Sequence, residues 1–317
     1  MKASYITKYG GIGELKFGEI PNPVLTDDKI LVNVKAVSIN PIDYKFRSGA
    51  LKIITGNKFP KIYGGDFSGI VQEIGNKVEN FKKEDRVYGS ISIFKNNGAL
   101  CEQVLVSPNK IRKIPDNMSF EVAASLPIAA LTALTGMRKS GNLNNKTILV
   151  NGATGGVGHF AVQFAKAYGA KVYATCSTKN AELAKQFGAD EIIDYTKEDL
   201  SKSEKKFDII FDAFGLMKTG IIFKLLNKRG IYMSTIFFSP ISFLSGFYAK
   251  IFLNKKLTSA NMRGNIEDYQ ELERLWNENK FKPFIEKTFP LENTKEAFDF
   301  AENGKPRGKV IVTIEIL

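Results

Sequence analysis

The chain has 317 residues, a length that favours two domains of ordinary size over one. Hydrophobic residues at 44%, charged residues at 25% and 27 glycines against 11 prolines exclude disordered, fibrous and low-complexity chains. The net charge of +12 comes almost wholly from lysine: only 8 of 45 basic residues are arginine, and no basic stripe interleaved with aromatics marks a nucleic-acid surface, so no nucleic-acid partner is expected.

The first ~115 residues read as β-rich. Segment 29–37 alternates at period two, and short runs follow at 69–74, 85–90 and 101–106, with Gly and Pro between them. This texture predicts a small, partly open barrel with long loops. From Phe120 onward helix and strand alternate. Segment 120–139 is helical and broken at Pro127; 146–151 is a buried strand, followed by a glycine-rich turn, a helix through Tyr168 and a strand at 171–176. Together these make one βαβ unit. The alternation continues through helix 180–187, strand 191–194, strand 207–212, helix 217–226 and strand 230–234, which is the pattern of a doubly wound parallel sheet. An amphipathic helix near 266–279 and a final strand at 309–316 close the chain, and late strands of this kind are able to pair back onto the first domain.

The sharpest motif is Asn151-Gly152-Ala153-Thr154-Gly155-Gly156-Val157-Gly158, between a strand and a helix. Glycines let a pyrophosphate approach the backbone, and the helix N-terminus offers N–H groups and partial positive charge. The pattern departs from strict G-x-G-x-x-G: Ala153 stands where the first glycine would be, and Gly152 comes one place early. An NAD-specific site places an acid at the end of the second strand for the ribose 2′-hydroxyl. Here that window is Cys176-Ser177-Thr178-Lys179-Asn180, with a hydroxyl and a lysine and no acid, which favours NADPH over NADH.

At this point the sequence resembles the medium-chain dehydrogenase/reductase superfamily, in its zinc-independent quinone oxidoreductase-like branch. The resemblance rests on Asn40-Pro41-Ile42-Asp43-Tyr44-Lys45 with Arg47-Ser48-Gly49, on Pro60-Lys61-Ile62-Tyr63-Gly64-Gly65-Asp66-Phe67-Ser68-Gly69, and on Gly98-Ala99-Leu100-Cys101-Glu102. Leu126-Pro127, Leu131-Thr132-Ala133, the glycine turn and the closing Arg307-Gly308-Lys309-Val310-Ile311-Val312 extend it over nearly the whole chain. It implies an α/β fold: a GroES-like β-barrel domain built from 1–119 and 262–317, with a doubly wound Rossmann NADP-binding domain, 120–261, inserted between. Zinc-dependent relatives carry Gly-His-Glu where this chain has Gly64-Gly65-Asp66, and their cysteine-rich lobe is missing between Gly89 and Ala99. With only two cysteines and one histidine, no metal site is expected, nor a disulfide scaffold. Without a Lewis acid, alcohol oxidation is disfavoured, and hydride transfer to a quinone or an α,β-unsaturated carbonyl is the implied reaction.

By the same resemblance, Asn40 and Asp43 lie on the loop that approaches the nicotinamide, with Asn40 a candidate to stabilise an enolate and Tyr44 a candidate proton donor. Thr132 lies beside the nicotinamide half of the cofactor. Gly155, Gly156, Val157 and Gly158 would hold the pyrophosphate; Ser177, Lys179 and Tyr195 would face the 2′-phosphate; Phe214, Gly215, Ile236 and Phe237 would form loops flanking the nicotinamide ribose and ring. A homodimer is the family expectation. The apolar segment 236–253 contains Pro240, Gly246 and Lys250, which argues against spanning a membrane. A flap over a greasy cleft, a subunit contact and peripheral contact with a membrane surface remain the readings of it. The start of the chain lacks the apolar core of a signal peptide, so the cytoplasm is the expected compartment. The alternative from another class is an NADPH-binding regulatory protein with little catalysis, its partner a nucleic acid or a membrane surface.

Overall fold

The computed structural model describes residues 1–91, 98–236, 246, 249–262 and 264–315. The chain divides into two compact units, Met1–Ile128 with Ile285–Leu317, and Ala129–Phe284.

In the first unit the strands are β1 (Lys2–Ile6), β2 (Lys16–Glu19), β3 (Ile30–Ile39), β4 (Lys61–Ile62), β5 (Asp66–Ile74), β6 (Arg86–Ser90), β7 (Gln103–Val106) and β8 (Ile111–Lys113). Ile30, Val32, Val34, Val37 and Ile39 of β3 join one apolar core with Phe67, Val87 and Phe298. The long β3 pairs antiparallel with β5 on one edge, and bulges near Leu31/Val32 and Val34/Ala36 bend it. Its other edge is shared: Ile30 to Asn33 meet β7, while Ala36 to Ile39 meet a strand from the far end of the chain. The strand path, with β2-β1-β4 as a separate sheet, does not close on itself among the described residues, so the barrel is open. Two short helices, α1 (Pro41–Arg47) and α2 (Lys52–Thr55), sit in the loop after β3. The β-rich reading of this segment did not register them.

The helix α3 (Phe120–Ser125) is followed by α4 (Pro127–Lys139), with the break at the proline. The second unit then carries β9 (Thr147–Asn151), α5 (Gly158–Ala167), β10 (Lys171–Cys176), α6 (Ala181–Gln186), β11 (Glu191–Asp194), β12 (Phe207–Asp212), α7 (Thr219–Leu225), β13 (Leu226–Ser234), β14 (Lys256–Ser259) and α8 (Ile266–Asn277). Its six strands run parallel in the order β11-β10-β9-β12-β13-β14, the doubly wound arrangement expected. Ile148, Leu149 and Val150 are fully buried because helices cover both faces of such a sheet. The helix expected at 217–226 spans Thr219–Leu225, and β13 starts at Leu226, where Leu226 pairs with Phe207.

The last strands, β15 (Ile285–Pro290) and β16 (Lys309–Thr313), with α9 (Thr294–Asn303) between them, belong to the first unit. β16 lies antiparallel to β3, with Val310 opposite Ile39, so the expected return of late β-structure occurs. Among the described residues no helix is long and apolar enough to cross a membrane.

Candidate active site

The second unit gathers one group of candidate residues at the carboxyl ends of its strands. β9 ends at Asn151 and the chain reverses at Gly152, whose φ of +79° suits glycine. A Cβ on Gly158 would stand 2.0 Å from the Gly152 carbonyl oxygen, so turn and helix start touch backbone to backbone. Gly155, Gly156 and Val157 form the partly exposed tip, and Val157 caps α5. His159, in the first turn of α5, is fully buried. The Phe284 N–H donates to its Nε2 at 3.2 Å, so its Nδ1–H donates to the Gly155 carbonyl at 2.9 Å. The imidazole is thus a brace under the turn.

A chain of hydrogen bonds pins the same turn to its neighbours. The Gly152 N–H donates to Thr175 Oγ1 at 3.0 Å, Thr175 donates to Asn151 Oδ1 at 2.7 Å, and Asn151 Nδ2 donates to Asp212 Oδ1 at 2.8 Å. Buried Asp212 also accepts the Phe214 N–H at 3.2 Å, the Met217 N–H at 2.9 Å and the Tyr232 hydroxyl at 2.9 Å. These contacts place the Phe214 ring over Gly152, where an added Cβ would come within 2.5 Å of it. Gly215, at φ +69°, packs against Ile236. The structure therefore sets Phe214 on the glycine turn, with Gly215 beside it against Ile236. Phe237 lies outside the described residues. Thr132 is buried on α4.

At the end of β10, Ser177 is buried and its Oγ has no hydrogen-bond partner, and Asn180 Oδ1 is likewise unpaired. Asn180 Nδ2 donates to Thr154 Oγ1 at 3.3 Å. Lys179 is exposed, and the exposed Tyr195 is tied to Cys176 by its N–H at 3.2 Å. Ser177, Lys179 and Tyr195 thus gather at one place. The window that is acid-free along the chain is not acid-free in space, because parallel pairing sets Asp194 of β11 opposite Cys176. Orphaned buried polar atoms beside a glycine turn that admits a backbone-close ligand fit a dinucleotide. Burial raises the Cys176 thiol to about 11, so it is not a reactive thiolate.

The first unit holds the other candidate residues in a buried polar cluster. Asn40 caps α1, and its N–H donates to Asp43 Oδ2 at 2.8 Å, while the Gly64 N–H donates to Asp43 Oδ1 at 3.2 Å. Asn40 Nδ2 donates to Asp66 Oδ2 at 3.0 Å and to the Ser38 carbonyl at 3.2 Å, and Asn40 Oδ1 accepts from Lys309 Nζ at 2.6 Å. The amide of Asn40 is fully committed. Asp66 Oδ2 also accepts the Ile128 N–H at 2.9 Å. Burial raises Asp43 to about 7, with the Asp66 charge adding to it, and burial raises Asp66 to about 6. Lys309 is pushed below its ordinary value by burial, against the pull of both carboxylates. Tyr44, half-buried on α1, has its phenol raised by burial and by the charges of Glu302 and Asp43, so it keeps its proton at neutral pH.

Two family models match: "Alcohol dehydrogenase GroES-like domain" over residues 26–116 and "Zinc-binding dehydrogenase" over residues 187–312. The chain is 34% identical to the 2-methylene-furan-3-one reductase of Solanum lycopersicum, over 98% of this chain and 79% of that protein. It is 33% identical to the chloroplastic NADPH-dependent alkenal/one oxidoreductase of Arabidopsis thaliana, with the same coverage of both chains. The solved quinone oxidoreductase of Coxiella burnetii superposes with a TM-score of 0.90 at 31% identity, covering 99% of each chain. The chain belongs to the quinone oxidoreductase-like branch of the medium-chain dehydrogenase/reductase superfamily. Zinc, which one matching model names, does not fit the residues here. The donors are an amide and two buried carboxyls, a lysine ammonium already sits on the amide oxygen, and among the described residues no three His, Cys, Asp or Glu converge to hold a metal ion.

Sequence reasoning named Asn40, Asp43 and the turn glycines but passed over Asp66, Lys309, Asp194, Asp212 and Tyr232. Asp66 and Lys309 stood inside motifs already quoted, and a lone acid closing each of β11 and β12 was the available signal for Asp194 and Asp212.

Proposed function

We propose that the protein is an NADPH-dependent reductase of quinones or α,β-unsaturated carbonyls that works without zinc. The observation that carries this reading is the glycine turn with an orphaned Ser177 hydroxyl and Lys179 grouped beside it. The names of the tomato and Arabidopsis relatives support the substrate class, and the latter supports NADPH. In this reading the turn Gly155-Gly156-Val157-Gly158 receives the pyrophosphate, and Ser177, Lys179 and Tyr195 receive the 2′-phosphate. Phe214, Gly215, Ile236 and Thr132 bound the nicotinamide half. When bound, the nicotinamide supplies a hydride to the electron-poor carbon of the acceptor. Tyr44 holds its proton at neutral pH and is the chain's candidate donor to the anion that hydride addition leaves. Asn40 and Asp43, saturated by internal hydrogen bonds, hold the α1 loop rigid and so position Tyr44. Both cysteines are buried and free, which suits a reducing compartment such as the cytoplasm.

The test follows NADPH oxidation by absorbance with a panel of quinones and alkenals. Turnover with members of either class is expected, and tight NADPH binding with no turnover on any acceptor overturns the enzymatic reading. The cofactor assignment is tested by Lys179→Ala, which should weaken NADPH binding about ten- to a hundredfold and leave NADH nearly unchanged. Equal losses for the two cofactors, or a wild type that prefers NADH, would contradict it.

A further inference from the structure

Two strands determine what surrounds Thr178, which lies between Ser177 and Lys179. The pairing of β10 with β11 sets Cys176 against Asp194, and the Thr178 hydroxyl donates to Asp194 Oδ2. Asp194 Oδ1 accepts the Thr196 hydroxyl at 2.6 Å and the Thr196 N–H at 2.9 Å. The hydroxyl donors Thr178 and Thr196 hold the carboxyl down at about 2, so it is ionised across the whole working pH range. Lys197 Nζ stands 3.8 Å away, at the outer limit of an ion pair, on a mostly exposed side chain. The permanent negative charge of Asp194 therefore shares one corner with Ser177, Lys179 and Tyr195.

We propose that Asp194 is a specificity-determining residue that narrows the margin between NADPH and NADH. Its carboxylate repels a 2′-phosphate that Lys179 attracts, while a ribose 2′-hydroxyl is indifferent to it. NADH then remains a usable second cofactor. This inference rests on the reading that Ser177 and Lys179 receive the 2′-phosphate. It is distinct from the acid that NAD-specific sites carry at the end of the second strand, because Asp194 comes from the third strand and faces the site through Thr178.

The experiment titrates NADPH and NADH separately, by cofactor fluorescence, against the full-length wild type, Asp194→Asn, Asp194→Ser and Lys179→Ala, with thermal melts of each. Asn keeps the size and one acceptor for Thr196; Ser removes charge and bulk together, so two neutral replacements stand behind the result. Both Asp194 variants should tighten NADPH by about three- to tenfold, the range set by repulsion between partly hydrated like charges, and leave NADH within about twofold. The gain should shrink at high ionic strength. If both variants keep the wild-type ratio of affinities, or lose both cofactors equally, the inference fails. If instead Lys179→Ala leaves the ratio untouched, the underlying phosphate reading fails, and the two failures are told apart in one data set.

Discussion

Lys309 brings a positive charge into a place where water does not follow, 3% exposed, with its ammonium on Asn40 Oδ1 at 2.6 Å. A buried charge costs heavily unless paired, and here it offsets the two carboxyls of Asp43 and Asp66, which fold beside it. Lys309→Met should therefore destabilise the protein by about 3–5 kcal/mol, because it strands two buried acids and leaves the amide oxygen without its donor. Lys309→Arg should recover part of that loss. Denaturant unfolding of the three proteins checks both statements, and a Met variant as stable as wild type would show that the cluster is held by its backbone hydrogen bonds alone. His159 shows the reverse case: the only histidine of the chain, two residues past the glycine tip, is a neutral brace bonded on both ring nitrogens.

At the scale of the element, the loop from β9 to α5 is shaped by contacts that exclude side chains. Gly158→Ala would drive a Cβ to 2.0 Å from a backbone carbonyl, which no rotamer relieves. Gly152→Ala meets both a left-handed φ and the Phe214 ring. Each substitution should lower stability by about 1–3 kcal/mol and weaken NADPH and NADH alike, in contrast to the selective effect expected of Lys179→Ala. Parallel titrations of the two cofactors distinguish turn damage from phosphate loss. Asp212→Asn belongs to the same class: it weakens the bonds to Asn151 and the Phe214 loop that hold the turn from the side, so both cofactors should bind less tightly by a similar factor.

For the molecule as a whole, the raised carboxyls of the first unit give stability a definite pH dependence. Asp43 at about 7 and Asp66 at about 6 bind their protons more tightly folded than unfolded. Their contribution is fully present below about pH 4, where both states hold the proton, and is lost as the pH rises through 6 and 7. Acids held low, such as Glu191 and Asp194 at about 2, change stability only at lower pH. The melting temperature of wild type should thus fall between pH 4 and 7.5 relative to that of Asp43→Asn, in which that titration is absent. A constant difference between the two curves over that window would show that Asp43 does not titrate there.

The amino-acid sequence by itself determined the elements whose signal is local. The period-two run of β3, the βαβ unit around the glycine turn, and the strands Lys171–Cys176, Glu191–Asp194 and Phe207–Asp212 were legible because pleat and helix repeat within a few residues. The resemblance carried by Asn40-Pro41-Ile42-Asp43, the glycine turn and the closing Arg307-Gly308-Lys309 placed the family. Only the tertiary structure decided what depends on register between distant segments. It set Lys309 against Asn40 across 269 positions, Asp194 against Cys176 at the end of β10, and Asp212 under both Asn151 and Phe214. The reason is physical: a hydrogen bond or an ion pair acts over a few ångströms, and which residues come within that reach is settled by the packing of whole strands, not by the residues on either side of them in the chain.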